Sequence, residues 1–189
     1  MRIVAGAHRG RVLVAPKGQS TRPTADRTRQ AVFNVLEHAA WSPGLEGLRV
    51  IDLFAGSGAL GLEALSRGAA ATLFVDSDPG AVGAMAENIA ALRLQDRATV
   101  RRRDAARPVT RDDAGGPFDL AFLDPPYARG LVEPALAGLI TGGWLADGAV
   151  AVVERGAAEP APDAPGYALL DSRSWGAARV WFLKVGAAG

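Results

Sequence analysis

The sequence predicts an α/β fold built on a mostly parallel sheet, and three observations predict it. Apolar, strand-like runs alternate with helix-like stretches from residue 48 to about residue 153. The first run empties into a glycine loop, Gly56-Ser-Gly58-Ala-Leu-Gly61. Three of the runs are followed by an aspartate, Asp76, Asp104 and Asp124. Repeated strand–helix units give a parallel sheet with helices on both faces. Ligands in such sheets sit at the C-terminal strand ends, where these acids fall.

The stretch Leu48-Arg-Val-Ile-Asp-Leu-Phe-Ala-Gly-Ser-Gly-Ala-Leu-Gly61 organises the chain. Val50, Ile51, Leu53 and Phe54 read as a parallel strand buried on both faces. The glycines permit a tight turn and close approach of a ligand to the backbone. The N–H groups opening the next helix then face that ligand.

Before this core, residues 2–5 and 11–15 are strand-like around Gly-Ala-His-Arg-Gly, a small basic hairpin. Residues 16–23 read as loop, Thr24 caps a helix running to about His38, and 41–47 is a linker. After the glycine loop a helix runs to Arg67 and ends at Gly68. Strand 71–76 precedes a helix opened by Asp78 as cap and Pro79 in the first turn, with Val82, Met85, Ile89 and Leu92 as its apolar stripe. Strands at 98–102 and 118–123, a helix at 131–140 and a strand at 149–153 complete the alternation. Strands at 166–170 and 178–185 around Trp175-Gly176 form a terminal hairpin, which adds an antiparallel edge.

Composition narrows the chemistry. The chain of 189 residues suits one well-buried domain. No apolar run approaches the length of a membrane span, and the N-terminus lacks the apolar core of a signal peptide, so a soluble cytoplasmic protein is expected. There is no cysteine, which excludes disulfides, thiolate zinc sites and cysteine nucleophiles. With only His8 and His38, no metal site is expected. The net charge of +1 is unevenly spread: residues 1–30 carry seven basic residues against Asp26, a net of +6, leaving −5 for the remainder. A basic arm on a nearly neutral chain suits a polyanionic partner, or else a solvated charged face.

The glycine loop alone also fits a dinucleotide, since Asp76 lies 20 residues after Gly56. Two features favour S-adenosylmethionine. Asp52 stands within the strand, where a carboxylate can hold the loop and, through it or water, an ammonium group. The second is Asp124-Pro-Pro-Tyr127. Its two prolines stiffen the backbone, so the Asp124 carboxylate and the Pro125 carbonyl become fixed acceptors for the two N–H donors of an exocyclic amine. Hydrogen bonds that favour a tetrahedral nitrogen release its lone pair toward a methyl electrophile, and they strengthen in the transition state. Tyr127 offers a face on which the base stacks. A surface turn uses the same residue types, but here the motif follows an apolar strand about 70 residues after the glycine loop.

At these residues the chain resembles class I S-adenosylmethionine-dependent amino-methyltransferases. More closely it resembles the bacterial 16S ribosomal RNA guanine-N2 methyltransferase family, RsmD type. The matching stretches are Arg2-Ile-Val-Ala-Gly with Arg9-Gly-Arg11, Arg22-Pro-Thr with Asp26-Arg27, Phe33-Asn34, Asp52 to Gly58 and Asp124 to Tyr127. The resemblance implies a Rossmann-like, mostly parallel seven-stranded sheet with an antiparallel C-terminal edge and a small N-terminal β-hairpin. It divides the chain into a basic extension, 1–22, and a methyltransferase domain, 23–189. It implies S-adenosylmethionine held by Asp52, Phe54, Gly56, Ser57, Gly58, Gly61, Asp76, Ser77, Asp104 and Ala105, with Asp76 on the ribose hydroxyls and Asp104 on the adenine amine. Asp124, Pro125, Pro126 and Tyr127 would carry the target base. Arg2, His8, Arg9, Arg11, Lys17, Arg22 and Arg27 would meet RNA, although the 22–27 segment could equally lie against the cofactor. The implied partner is 16S rRNA within a small-subunit assembly intermediate, met by a monomer away from any membrane. Alternatives are a DNA adenine-N6 or cytosine-N4 methyltransferase, an NAD-dependent oxidoreductase, and a non-catalytic RNA-binding assembly factor.

Overall fold

The computed structural model describes residues 1–16, 23–107 and 116–186. Eleven elements follow in chain order. They are α1 (Pro23–His38), β1 (Arg49–Leu53), α2 (Ala59–Ser66), β2 (Ala71–Asp76), α3 (Pro79–Leu92), β3 (Ala98–Arg102), β4 (Phe118–Leu123), α4 (Val132–Thr141), β5 (Leu145–Gly156), β6 (Tyr167–Trp175) and β7 (Ala178–Val185). The strands form one seven-stranded sheet in the order β3-β2-β1-β4-β5-β7-β6. The first five are mutually parallel, and β7 runs antiparallel between β5 and β6. Strand order reverses between β1 and β4, the switch point at which such sheets bind ligands.

Both faces are covered. On one, Ile51, Leu53, Leu123, Val153 and Trp181 pack against Leu136 and Leu139 of α4. On the other, Val50, Phe122, Val152 and Phe182 pack against Phe33 and Leu36 of α1. Beside them Phe74 meets Leu62 and Leu65 of α2 and Met85 and Ile89 of α3. The expected stripe of α3 is buried at Met85, Ile89 and Leu92, with Val82 at its margin. Asp78 caps the helix, accepting from Ala81 N–H at 2.8 Å, with Pro79 in the first turn. Among the described residues no helix is long and apolar enough to cross a membrane.

Several boundaries differ from the sequence reading: strand β5 begins at Leu145 rather than 149, β6 continues to Trp175 rather than ending at 170, α2 and α4 shift by one residue, and three further differences have a visible cause. Helix α1 starts at Pro23 rather than after Thr24, because proline fits a first helical turn whose N–H has no acceptor. Strand β5 reaches Gly156, three residues beyond the expected end, because its whole C-terminal half pairs with β7. The N-terminal hairpin is reduced to a single bridge, Arg2 opposite Val12, with Ile3 N–H donating to Arg11 at 2.9 Å and Leu13 N–H to Met1 at 3.1 Å.

The hairpin is short because its other backbone groups are taken by helices. Val4 and Ala5 N–H donate to the two oxygens of Glu63 at 2.7 and 2.9 Å. Ala7 N–H donates to the Ser66 carbonyl at 2.8 Å, and the Ser66 hydroxyl donates to the Ala5 carbonyl at 2.6 Å. Gly6 is required there: a Cβ would lie 1.9 Å from the Ser66 carbonyl oxygen. On the second arm, Asn88 accepts from Val14 N–H at 2.8 Å and returns a bond to its carbonyl at 2.9 Å. Ile3 and Leu13 meanwhile join the apolar cluster of α2 and α3.

Glu63 is fully buried and also holds Arg67 at 2.8 Å, with Arg29 Nε at 3.9 Å. Arg67 continues to Glu37 at 2.9 Å and lies over the Phe33 ring. Glu63→Ala leaves two part-buried N–H groups without their acceptor and removes one of the carboxylates paired with Arg67 and Arg29, which keep Glu37 and Asp26. Such a loss costs about 3–5 kcal/mol. Urea unfolding should show that deficit, with Glu63→Gln, which keeps an acceptor oxygen, losing less. Equal stability of wild type and Glu63→Ala would refute the hub.

Candidate active site

The β1–α2 loop is held by two carboxylates. Asp52 sits near the end of β1, almost without solvent contact, and accepts Gly61 N–H at 2.9 Å. Asp76, at the end of β2, accepts Gly56 N–H at 2.8 Å on one oxygen and Asp78 N–H at 2.9 Å on the other. Each Asp76 oxygen keeps lone-pair capacity beyond the bond it accepts. Between these ties the backbone takes left-handed conformations at Phe54 (φ 59°), Gly56 (56°) and Gly58 (78°). Phe54 is not a glycine, so its conformation is strained and is retained by the surrounding bonds.

The glycines divide their work. Gly58 opens α2 from a left-handed conformation without a side-chain cap. The first-turn N–H groups of Ala59 and Leu60 therefore have no intrahelical acceptor, and both residues line the cleft. Gly61 does not line it. A Cβ there would fall 2.4 Å from Phe74 Cε1 and 2.7 Å from Thr72 Cγ2, so Gly61 lets α2 press onto β2.

Asp124 follows β4 and Glu154 lies on β5, each one residue beyond the paired Leu123 and Val153. The two carboxylates thus stand at equivalent positions on adjacent parallel strands. The Tyr127 hydroxyl donates to Glu154 Oε1 at 2.7 Å, while the residue remains 42% exposed. Glu159 accepts from Ala128 at 3.3 Å and Gly156 at 3.0 Å, and Ala128 is left-handed (φ 57°). The Asp-Pro-Pro-Tyr loop is therefore fixed by its prolines and by two glutamates from the β5 end.

Both loops open on one cleft of about 730 Å³. It is lined by Asp52, Phe54, Gly56, Ser57, Asp76, Ser77, Asp104, Ala105 and Asp124 to Tyr127, together with Glu154 and the α1 residues Thr28 and Arg29. Of the ten expected cofactor residues, Gly58 and Gly61 alone stand behind the wall. Asp104 is exposed, accepts Ala106 N–H at 3.0 Å and lies 3.8 Å from Arg107.

Over residues 1–184 the chain matches the family described as conserved hypothetical protein 95. It is 37% identical over 165 residues to ribosomal RNA small subunit methyltransferase D of Escherichia coli, which covers 87% of this chain and 79% of that protein. The Haemophilus influenzae protein of the same name is 32% identical over 177 residues, covering 93% and 89%. The solved structure of Escherichia coli yhhF, described as a candidate methyltransferase, superposes with a TM-score of 0.84 at 33% identity, covering 100% of this chain and 99% of that one. The chain belongs to the ribosomal RNA small subunit methyltransferase D family.

Beside the cleft of this family member lies the N-terminal arm. Met1 and Ala15 reach the cleft wall, while Arg2, Arg9 and Arg11 are exposed and His8 is half-buried. Arg27 is exposed on α1, and Lys17 and Arg22 lie outside the described residues. The arm also touches the glycine loop, because Asn88 donates to both Val14 and Ser57 carbonyls, at 2.9 and 3.0 Å.

Sequence reasoning missed Glu154, Arg29 and Thr28 as cleft residues. Glu154 obeys the rule that found the three aspartates, an acid just past an apolar strand run. Arg29 is buried and holds the Arg2 carbonyl at 2.5 Å and Asp26 at 3.1 Å. In sequence it is one more arginine of a basic segment, and only the fold places it inward.

Burial raises three carboxyls of the cleft, with smaller help from neighbouring acids at two of them. Burial pushes the Asp52 carboxyl up to about 8, against the Gly61 hydrogen bond and with help from Asp76. Desolvation at the cleft base, then Glu154 and Asp52, hold Asp124 well above the ordinary carboxylate range. Burial raises Glu154 too, opposed by the Tyr127 hydrogen bond.

A carboxyl raised on folding makes the native state bind more protons than the unfolded chain. Stability then falls as pH rises from the ordinary value of 3.8 toward about 8. Asn at position 52 still accepts from Gly61 but carries no charge. Asp52→Asn should therefore gain on wild type progressively between those pH values in denaturant midpoints. Parallel stability–pH curves for the two proteins would contradict this charge assignment.

Proposed function

We propose that this chain transfers a methyl group from S-adenosylmethionine to the exocyclic N2 of a guanine in 16S rRNA, acting as a monomer on an assembling small subunit. The observation that carries the reading is one cleft shared by the glycine loop and the Asp-Pro-Pro-Tyr loop. Family membership supports rRNA methylation, and the choice of N2 follows from the resemblance in the N-terminal motifs.

The residues fit this cofactor. Its ammonium and sulfonium groups are cationic, and Asp52, Asp76, Asp124 and Glu154 line the cleft. A cation beside the raised carboxyls of this cleft favours their ionised form, whereas the pyrophosphate of a dinucleotide would oppose it. The opening N–H groups of α2 suit the cofactor's own carboxylate. Asp76 retains acceptor capacity for two ribose hydroxyls, and Asp104 stands at the next strand end for the adenine amine. When bound, S-adenosylmethionine supplies a methyl electrophile whose leaving group is a neutral thioether.

The chain's own part is positioning and proton handling. Asp124 and the Pro125 carbonyl accept the amine's two N–H bonds, and Tyr127 presents its ring to the base. Bound there, S-adenosylmethionine would give its methyl group to the amine nitrogen, with the C–S bonding pair staying on the thioether sulfur. The nitrogen is then cationic and sheds a proton to the Asp124 carboxylate or to water. A carboxyl held above its ordinary range keeps a proton more readily than a surface acid does. In-line transfer otherwise needs only geometry.

Asp124→Ala should lower kcat/KM on small-subunit particles by about 10²–10³-fold, the loss seen when one preorganised charge-stabilising group is removed. Affinity for the particles should stay within a few-fold. Nucleoside mass spectrometry of 16S rRNA from cells with and without the protein identifies the product. Absence of any methylated guanine that depends on the protein refutes the reading.

The exposed arm generates a second test. Each arginine on a phosphate adds about one unit to the slope of log affinity against log salt. Arg9→Gln with Arg11→Gln should flatten that slope by about two. An unchanged slope assigns both residues to a solvated surface.

A further inference from the structure

We propose that Glu154 is a specificity-determining residue that accepts the ring N1–H of the target guanine while its neighbouring amine is held at Asp124. The inference rests on the methyltransferase reading above and extends it to a residue that neither the glycine loop nor the Asp-Pro-Pro-Tyr motif contains.

The argument begins with register. Leu123 and Val153 are paired on adjacent parallel strands, and Asp124 and Glu154 come next on each. Adjacent strands lie about 4.8 Å apart, close enough for the two side chains to converge on one edge of a single base. Both residues line the same cleft. Glu154 is half-buried and anchored through one oxygen by the Tyr127 hydroxyl at 2.7 Å. Its other oxygen has no hydrogen a base could accept and can serve only as an acceptor when ionised.

Two adjacent acceptors select among bases by elementary pattern. Guanine sets N1–H beside its N2 amine, so donors face both carboxylates. Adenine sets the bare N1 beside its N6 amine, and cytosine sets the bare N3 beside its N4 amine. In either of those a ring lone pair would face the Glu154 carboxylate. A site built to receive a hydrogen bond rejects an analogue that lacks it, because a desolvated polar group is then left unpaired. An N–H from the base also separates two carboxylates whose charges otherwise repel each other. The rigid ring of Tyr127, fixed at its far end by Glu154, sets the plane in which this edge is read.

The test uses the full-length chain and small-subunit particles carrying 16S rRNA with either guanine or 2-aminopurine at the methylated position. 2-Aminopurine keeps the exocyclic amine but has no N1–H. Wild type should favour guanine in kcat/KM by on the order of 10²-fold or more. Glu154→Gln, whose amide can donate to a bare N1, should compress that ratio to within about five-fold, chiefly by slowing transfer to guanine. Tyr127→Phe removes the phenol bond but keeps the carboxylate, and it should retain most of the wild-type ratio.

A Glu154→Gln ratio equal to wild type overturns the proposal, as does a wild type that methylates both bases alike. Compression in Tyr127→Phe as strong as in Glu154→Gln assigns Glu154 to holding the tyrosine and likewise overturns it. A wild type that methylates no guanine at all defeats the underlying functional reading and is distinguishable from these outcomes.

Discussion

The fully buried Glu63 carboxylate fixes where the N-terminal arm lies, and the layout of the site depends on it. It joins two backbone N–H groups of the arm to Arg67 within α2 and faces Arg29 from α1. A buried charge is tolerated only with partners that replace water, and here every partner comes from a segment that must be positioned. The same helix, α2, points its first-turn N–H groups at the cleft. One eight-residue helix thus sets the cofactor loop at one end and the basic arm toward the other. Asn88 repeats the logic from α3, binding Val14 of the arm and Ser57 of the loop with one amide.

The strand ends supply the second constraint. Asp52, Asp76, Asp104, Asp124 and Glu154 lie within two residues of the C-terminal ends of β1, β2, β3, β4 and β5. Two of them hold the architecture: Asp52 accepts from Gly61, and Asp76 accepts from Gly56 and Asp78. Phe54 and Ala128, the left-handed non-glycine residues just after β1 and β4, show where the backbone is forced to turn so that both loops face the same space. Strain at these positions is offset by the bonds around them rather than by local preference.

Much of this was legible from the chain alone because it rests on local pattern. The parallel alternation, the Asp78–Pro79 helix start and the terminal hairpin around Trp175-Gly176 are short-range signals, and strands β2, β3 and β4 match their expected ranges. The glycine spacing located the loop, but not that Gly61 serves helix–strand packing, since that needs Phe74 and Thr72 in place. The short N-terminal bridge was also beyond reach. Its N–H groups bond to Glu63 and Asn88, 58, 59 and 74 residues away in sequence, which no local propensity encodes. Glu154 is different: it directly follows the apolar run that ends at Val153, so the same local pattern that marks Asp124 marks it too.

The charge division along the sequence becomes a division in space. The first 30 residues carry +6 and the rest −5. In the fold, exposed arginines of the arm lie beside a cleft floored by carboxylates. A uniformly basic surface would attract RNA but repel a cationic methyl donor, and a uniformly acidic one would do the reverse. Segregation lets the two ligands be drawn to adjacent places by opposite fields. The cost is carboxyls taken out of water and set near one another, so that burial first and neighbouring acids second raise Asp52 and Asp124. A cation or an N–H donor entering this cleft would favour the ionised form of these carboxyls, so the two ligands proposed for it would offset that cost together.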